Sequence, residues 1–275
     1  MDLSVLDFQC GAGLKSIRTV IMVENGEWIM HGLAWNDPYR IRSPKELVNW
    51  INEVGFLPLF GNGVKDFSVE EHVSADYWWT GDKEQDPWEW REIIAAGHEV
   101  AYGKFFDKKA GFISLEWLPY FANYRRDGYD FDSAWADGKA NQREKLIMDI
   151  LTETDSDGYI VRSDKQILST ELKQLACFGK GGEKNFPGIT TDLMMKIYIV
   201  TADFHRRRNK KGAEYGMAVS VLMPPEAIWG YDSITSAYNE TPKESWQRIM
   251  DRVKELYPNA DEADIIRLIG KEPMQ

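Results

Sequence analysis

The densest run of chemistry-bearing side chains is His205–Lys211, HRRRNKK, with five Lys or Arg in seven residues and no acid. Cations at that density neutralise backbone phosphates, so Arg206, Arg207, Arg208, Lys210 and Lys211 point to an anionic polymer. A turn kept polar only because it is solvated reads the same way. The wider context singles this run out. From Glu171 to Tyr215 nine Lys/Arg stand against five acids, whereas from Lys65 to Val100 three stand against ten. The whole chain carries net −11, and a uniformly acidic surface repels nucleic acid and anionic membranes, so an anionic partner docks on the basic stretch or not at all. A second cluster, YWWTGDKEQDPWEW from Tyr77 to Trp90, sets four of the eleven tryptophans among Asp82, Glu84, Asp86 and Glu89. Such rings stack on a base or a sugar while carboxylates accept hydrogen bonds or a proton. The plainer alternative, which we favour, puts Trp88 and Trp90 against a core at the start of a helix whose acids sit at the positive end of its dipole.

Other chemistry finds little support. His31, His72, His98 and His205 are scattered, with no HExxH, EF-hand or zinc pattern, so no metal and no cofactor are expected. GAGLKS at Gly11 and GKGGEK at Gly179 lack the full Walker spacing or its Lys-Ser/Thr ending and read as ordinary turns. No G-x-S-x-G elbow occurs. Cys10 and Cys177, without a CxxC pair, build neither a disulfide framework nor a thiolate cage and read as buried, reduced thiols. The apolar run Ala218 to Met223 falls far short of the roughly 18 residues of a membrane helix. With no readable signal peptide in MDLSVLDFQCGAGLKS, a cytoplasmic location is expected.

The elements that must position these residues are mixed. Asn25-Gly26 between the apolar runs of Arg18 to Met30 predicts a hairpin. Ser43-Pro44-Lys45-Glu46 offers a hydroxyl cap, proline in the first turn and a glutamate at the third position, followed by Leu47, Trp50, Ile51 and Val54 at helical spacing. Thr241-Pro242-Lys243-Glu244 repeats that device ahead of Trp246, Ile249, Val253 and Leu256. A helix from Asp86-Pro87 leads into a hairpin of VAYGKFF and GFIS, and a further helix starts near Asn141. In the second half, Ser169/Thr170 are expected to cap one helix. Thr190/Thr191 are expected to cap another, striped by Leu193, Ile197, Val200 and Phe204, with Met195, Lys196, Ile199 and Asp203 outward. HRRRNKKG then turns into a half-buried strand over Glu214 to Leu222, with Tyr215, Met217, Val219 and Val221 on one side. Helix, turn, helix, basic hairpin is the order of a winged helix. The expectation is an α+β protein of winged-helix-like modules, divided into residues 1–138, 139–224 and a helical extension 225–275.

Three segments carry a family resemblance: Val54-Gly55-Phe56-Leu57-Pro58-Leu59-Phe60, Ala101-Tyr102-Gly103-Lys104 through Lys109-Ala110-Gly111-Phe112-Ile113, and Trp117-Leu118-Pro119-Tyr120-Phe121. They resemble the AlkZ/YcaQ-type winged-helix DNA glycosylases, and in particular an AlkZ-related bacterial branch. In that family a helix leads into G-x-L-Q-x-D or G-x-L-Q-x-Q. The present chain has Gly55-Phe56-Leu57 followed by Pro58 and Phe60 where the family's two polar residues stand, and none of its seven glutamines forms Gln-x-Gln or Gln-x-Asp. Hydrolysis of an N-glycosidic bond needs a group that orients water and stabilises a cationic sugar. Pro58 and Phe60 supply neither function, which leaves Asp66, Glu70 and Glu71 just downstream as the substitute carboxylates. The resemblance implies binding of duplex or damaged DNA by Arg206, Arg207, Arg208, Lys210, Lys211 and Lys196, without family-type catalysis. Two alternatives remain: a glycosylase with a substituted carboxylate, and a protein-interaction or small-ligand module.

Overall fold

The computed structural model of the chain describes residues 17–18, 30–156, 160–209 and 211–274. The hairpin expected at Asn25-Gly26, Cys10, the Gly11 segment and Lys210 lie outside them. Strands β1 (Ile17–Arg18) and β2 (Gly32–Leu33) pair antiparallel, and helix α1 (Pro44–Val54) follows. The Ser43 hydroxyl accepts the Glu46 amide to start α1, and Gly55 at φ 100 ends it. Then come β3 (Phe56–Pro58), α2 (Pro87–Gly97), and the hairpin β4 (Val100–Phe106) and β5 (Lys109–Ser114). These strands form a sheet in the order β3-β5-β4. Gly111 is opposite both Pro58 and Gly103, and a Cβ there would come within 2.7 Å of the Leu57 carbonyl oxygen, so only glycine fits.

Helices α3 (Leu118–Arg126), α4 (Phe131–Ala136) and α5 (Gln142–Ile150) connect to the second half, α5 being started by a capping box of Asn141 and Glu144. There follow β6 (Thr152–Thr154), β7 (Ile160–Arg162), β8 (Ile167–Leu168), α6 (Ser169–Leu175) and α7 (Phe186–Met195). Strands β9 (Val200–Arg208) and β10 (Glu214–Met223) complete a sheet in the order β8-β10-β9. The chain ends in α8 (Pro225–Trp229), α9 (Tyr231–Thr235), α10 (Pro242–Leu256) and α11 (Glu262–Ile269). The fold is α+β, and the same arrangement occurs twice. A helix, a strand and further helix precede a hairpin, and the early strand pairs with the hairpin's second strand.

Two large cores and a small cluster of Ala202, Val221 and Met223 hold the molecule, and Ile197 and Val200 of the second half join the first core. That core gathers buried residues from Met30 to Tyr124, and the C-terminal helices close it with Trp246, Ile249, Val253, Ile265 and Leu268. The other runs from Phe131 to Ile199 and takes in Leu222. A buried ion pair of Arg126 and Glu226 stands at the joint, where Arg126 also donates to the Ile197 carbonyl. Among the described residues no helix is long and apolar enough to cross a membrane.

Four local expectations are corrected. Ser169 and Thr170 do not cap α6, whose N-cap is Leu168 without a side-chain bond; Ser169 begins the helix and its hydroxyl accepts that of Ser220. Thr190 and Thr191 do not cap α7; the helix begins at Phe186, and both hydroxyls sit inside it, bonded back to the carbonyls of Phe186 and Pro187. Proline in the first turn and Asn185 in the left-handed region start it earlier. It stops at Met195 because Ile197 adopts φ 59, so Val200, Asp203 and Phe204 belong to β9, and Ile199 is fully buried. In β10 a bulge between Tyr215 and Val219, with Gly216 at φ 73, breaks the alternation. Tyr215 and Met217 consequently face solvent, Met217 at 87% exposure. Cys177 is exposed rather than buried, in the turn that follows α6.

Candidate nucleic-acid interface

The basic run forms the outer half of β9 and the turn to β10. Arg206 is exposed and Lys211 lies in the exposed turn. Arg207 and Arg208 pair in register with Tyr215 and Glu214. Asp203, the acid of β9, engages His205 at 3.1 Å and accepts the Phe204 amide, while Arg206 shares a cleft with Glu89 and Glu92. Lys196 is placed differently. Its ammonium is 2.6 Å from the buried Glu144 carboxylate, which fastens the end of α7 to the start of α5.

At the foot of the hairpin, where the two units meet, lies an open cleft of about 360 Å3. Phe60, Trp88 and Tyr102 come from the first unit, Met194, Thr201 and Phe204 from the second. Arg91 is clamped between the rings of Trp88 and Phe204, its guanidinium carbon 3.8 and 4.4 Å from their centroids. One of its amino groups meets Glu92 at 3.0 Å, and its buried Nε has no hydrogen-bond partner. Burial pushes the Tyr102 hydroxyl pKa up, with Arg91 opposing. It also raises Glu92 against the pull of Arg91 and, more weakly, of Arg206. The cleft continues past Arg91 into a second of about 500 Å3 between α2 and β10, lined by Arg206, Met217, Glu89 and Glu92. Rings and cations therefore share one concave surface.

The tryptophan-rich segment divides between structural and exposed roles. Trp90 is fully buried, in keeping with the plainer reading of its sequence, but Trp88 is half-buried and forms a wall of the cleft. Trp79 is 48% exposed. Buried Asp86 organises the segment by accepting the amides of Trp79, Gly81 and Trp88.

Pro58 and Phe60 line a small cavity of about 110 Å3 with Asp107, Lys109, Asp264 and Arg267, in which Arg267 holds Asp264 at 2.9 Å. Asp66, Glu70 and Glu71 line neither this cavity nor the larger cleft. Glu70 is buried and accepts the amides of His31 and Gly61 at 2.7 and 2.8 Å. Glu71 accepts the Asp66 amide and the Ser68 hydroxyl, and burial raises its pKa. Asp66 occupies a left-handed turn position at φ 63. Among the described residues no group of three or more His, Cys, Asp or Glu is placed to hold a metal. Sequence reasoning misses Arg91 and Phe204. Arg91 stands one residue beyond Trp90 and is legible as a cation beside aromatic residues, but its second ring arrives from a strand more than a hundred residues later.

The fold and the cleft together define an α+β protein with two helix-and-hairpin units and an aromatic, cation-bearing cleft at their junction. Comparison with known proteins adds the family: the family model described as AlkZ related matches residues 41–270, and the chain belongs to the AlkZ-related family. No curated protein and no solved structure matches the chain.

Proposed function

We propose that this is a DNA-binding protein related to the alkylation-repair glycosylases, in which residues 139–224 form a winged-helix module with β9–β10 as its wing. The observation that carries the reading is the position of Arg206. It is an exposed cation, unclaimed by the acid nearest it in β9, on the rim of a concave surface lined by Trp88, Arg91 and Phe204. Phosphate contacts by such a wing fix a protein on a duplex without reading sequence. α7 agrees with that reading, since its buried residues leave few donors of the kind that read base edges.

Family-type catalysis is absent in this proposal. Pro58 has no amide hydrogen, its carbonyl accepts the Val69 amide, and Phe60 packs on Trp78 and Trp88. Glu70 accepts two backbone amides and Glu71 an amide and a hydroxyl, and neither lines the cleft or the cavity beside Pro58 and Phe60, so neither is placed to orient a water at a base bound there.

Fluorescence anisotropy of labelled duplexes, intact or carrying an abasic site, tests the proposal at low and at physiological salt. Binding is expected to be salt-sensitive and to weaken by about tenfold or more when Arg206, Arg207 and Arg208 are all changed to alanine. Absence of binding at low salt would overturn the DNA reading in favour of a protein or small-molecule partner. Release of an alkylated base would overturn the catalytic part.

A further inference from the structure

The cleft at the junction has a charge balance unlike that of the chain around it. Four cations line it, Arg91, Lys104, Lys108 and Lys109, and no carboxylate does, in a protein of net −11. Two of the four are compensated from outside the lining: Arg91 by Glu92 at 3.0 Å and Lys108 by Asp192 at 3.5 Å. Lys104 donates only to the neutral Thr191 hydroxyl at 3.3 Å, and neither Lys104 nor Lys109 meets a carboxylate among the described residues. Both are exposed at the mouth. Deeper in, Arg91 is 8% exposed and held rigid by two rings, and its Nε hydrogen has no acceptor. A donor that deep is costly to leave unpaired.

These facts specify a ligand. Two uncompensated cations match the charge of a phosphate monoester, about −1.5 to −2 near neutral pH, better than the single charge of a carboxylate or an internal phosphodiester. Trp88 and Phe60, both half-buried with centroids 6.4 Å apart, offer an aromatic wall beside the cations, and the Thr201 and Ser220 residues add hydroxyls. The volume, about 360 Å3, falls within the roughly 300–1,000 Å3 of small-molecule sites. We propose that the cleft binds a phosphate monoester whose sugar carries a planar base. This is the chemistry of a nucleoside monophosphate, whether free or at the phosphorylated end of a nucleic acid strand. The proposal does not rest on duplex binding by the wing, because Arg206 lines the neighbouring cleft rather than this one.

The test is calorimetric titration of the full chain with AMP, GMP, CMP and UMP, with adenosine as the dephosphorylated control. In parallel, anisotropy is measured on a labelled single strand with and without a 5′-phosphate. At least one monophosphate, or the phosphorylated strand end, is expected to bind about tenfold or more tightly than its dephosphorylated counterpart. Binding to the strand end alone identifies the polymer as the source, and binding to the free compound identifies a small-molecule ligand. Lys104→Ala with Lys109→Ala, both at exposed positions, is expected to abolish the preference while leaving the melting temperature unchanged. The triple arginine variant of β9 should keep the preference for the phosphorylated over the dephosphorylated compound, since Lys104 and Lys109 remain. Retained monophosphate binding without duplex binding would remove the wing reading and keep this one. No phosphate-dependent binding in either arm, or an unchanged preference in the double lysine variant, would overturn it.

Discussion

The two helix-and-hairpin units share strand order and differ in what becomes of the hairpin. In the first, β4 is buried along its length except at Lys104, and the turn is a tight pair, Asp107 and Lys108, both at positive φ. Phe106 near its tip packs into a ring cluster with Phe56 and Phe121. In the second, among the described side chains, only the base is buried, Val200 to Ala202 against Val221 to Met223. Beyond it the strands run outward to an exposed Arg206, a Tyr215 half in solvent and an almost fully exposed Met217. Residue type in the outer half decides the outcome. VAYGKFF supplies apolar surface for the helices to cover, whereas the outer half of the second hairpin supplies charge and a bulge. One topology thus builds a scaffold in one place and a presenting surface in the other, with the cleft between them.

The largest expected effects, about 3–5 kcal/mol each, break the first side of that comparison. Phe56 meets the rings of Phe67, Phe106, Trp117 and Phe121 at 4.9 to 6.3 Å, so Phe56→Ala opens a cavity that this rigid setting cannot fill. Met217→Ser on the other hairpin should stay within about 0.5 kcal/mol in urea titrations. Equal costs for the two would show that the outer wing is packed and end the contrast. Arg126→Met leaves Glu226 buried without its partner and loses the bond to the Ile197 carbonyl. The substitution is expected to uncouple the cores, so that the melt separates into two transitions; a single sharper transition would count against two cores. Asp86→Ala is smaller, about 1–2 kcal/mol, since it removes a cap together with the acceptor for Trp79 and Gly81. Its informative readout is the cleft: with Trp88 released, tryptophan emission should shift to the red.

Signals confined to a few neighbouring residues are legible in the sequence itself. Ser43-Pro44-Lys45-Glu46, Asp86-Pro87, Asn141 with Glu144, and Thr241 with Glu244 each start a helix, because a cap is satisfied within one turn of chain. The buried stripes of α1 and α10 follow for the same reason, as do the two hairpins. What the sequence hides depends on distance or on a single backbone angle. Ile197 through Phe204 fits a helical stripe as well as a strand, and only the left-handed Ile197 and the pairing with β10 decide for the strand. The bulge that turns Met217 outward is equally silent in the alternating pattern. The cleft is the least legible part, because Trp88 and Arg91 are separated in sequence from Phe204 and Thr201 by the whole second core. Asp66, Glu70 and Glu71 stand close to Pro58 and Phe60 along the chain, and that proximity does not bring them to a shared cavity.

The smallest effect separates two glutamates that perform the same task in different surroundings. Glu71 and Glu244 each accept a backbone amide and a hydroxyl, yet burial raises the pKa of Glu71 whereas Glu244, fully in solvent at the start of α10, is lowered by its Thr241 bonds. The signs of their pH dependence are therefore opposite. Folded Glu71 holds its proton above the ordinary value of 4.5, so the native state binds more protons than the unfolded one in that window, and its contribution falls as pH rises through it. Folded Glu244 releases its proton below 4.5, so its contribution is present above that value and is lost as pH falls. Urea midpoints measured from about pH 3 to about pH 7 should show wild type losing ground to Glu71→Gln as pH rises, and Glu244→Gln losing its disadvantage as pH falls. Parallel curves for all three proteins would mean that neither carboxylate senses its site. Curves that meet wild type at low pH and part from it in opposite directions as pH rises would show burial outweighing two good hydrogen bonds at Glu71 and the same two bonds prevailing at exposed Glu244.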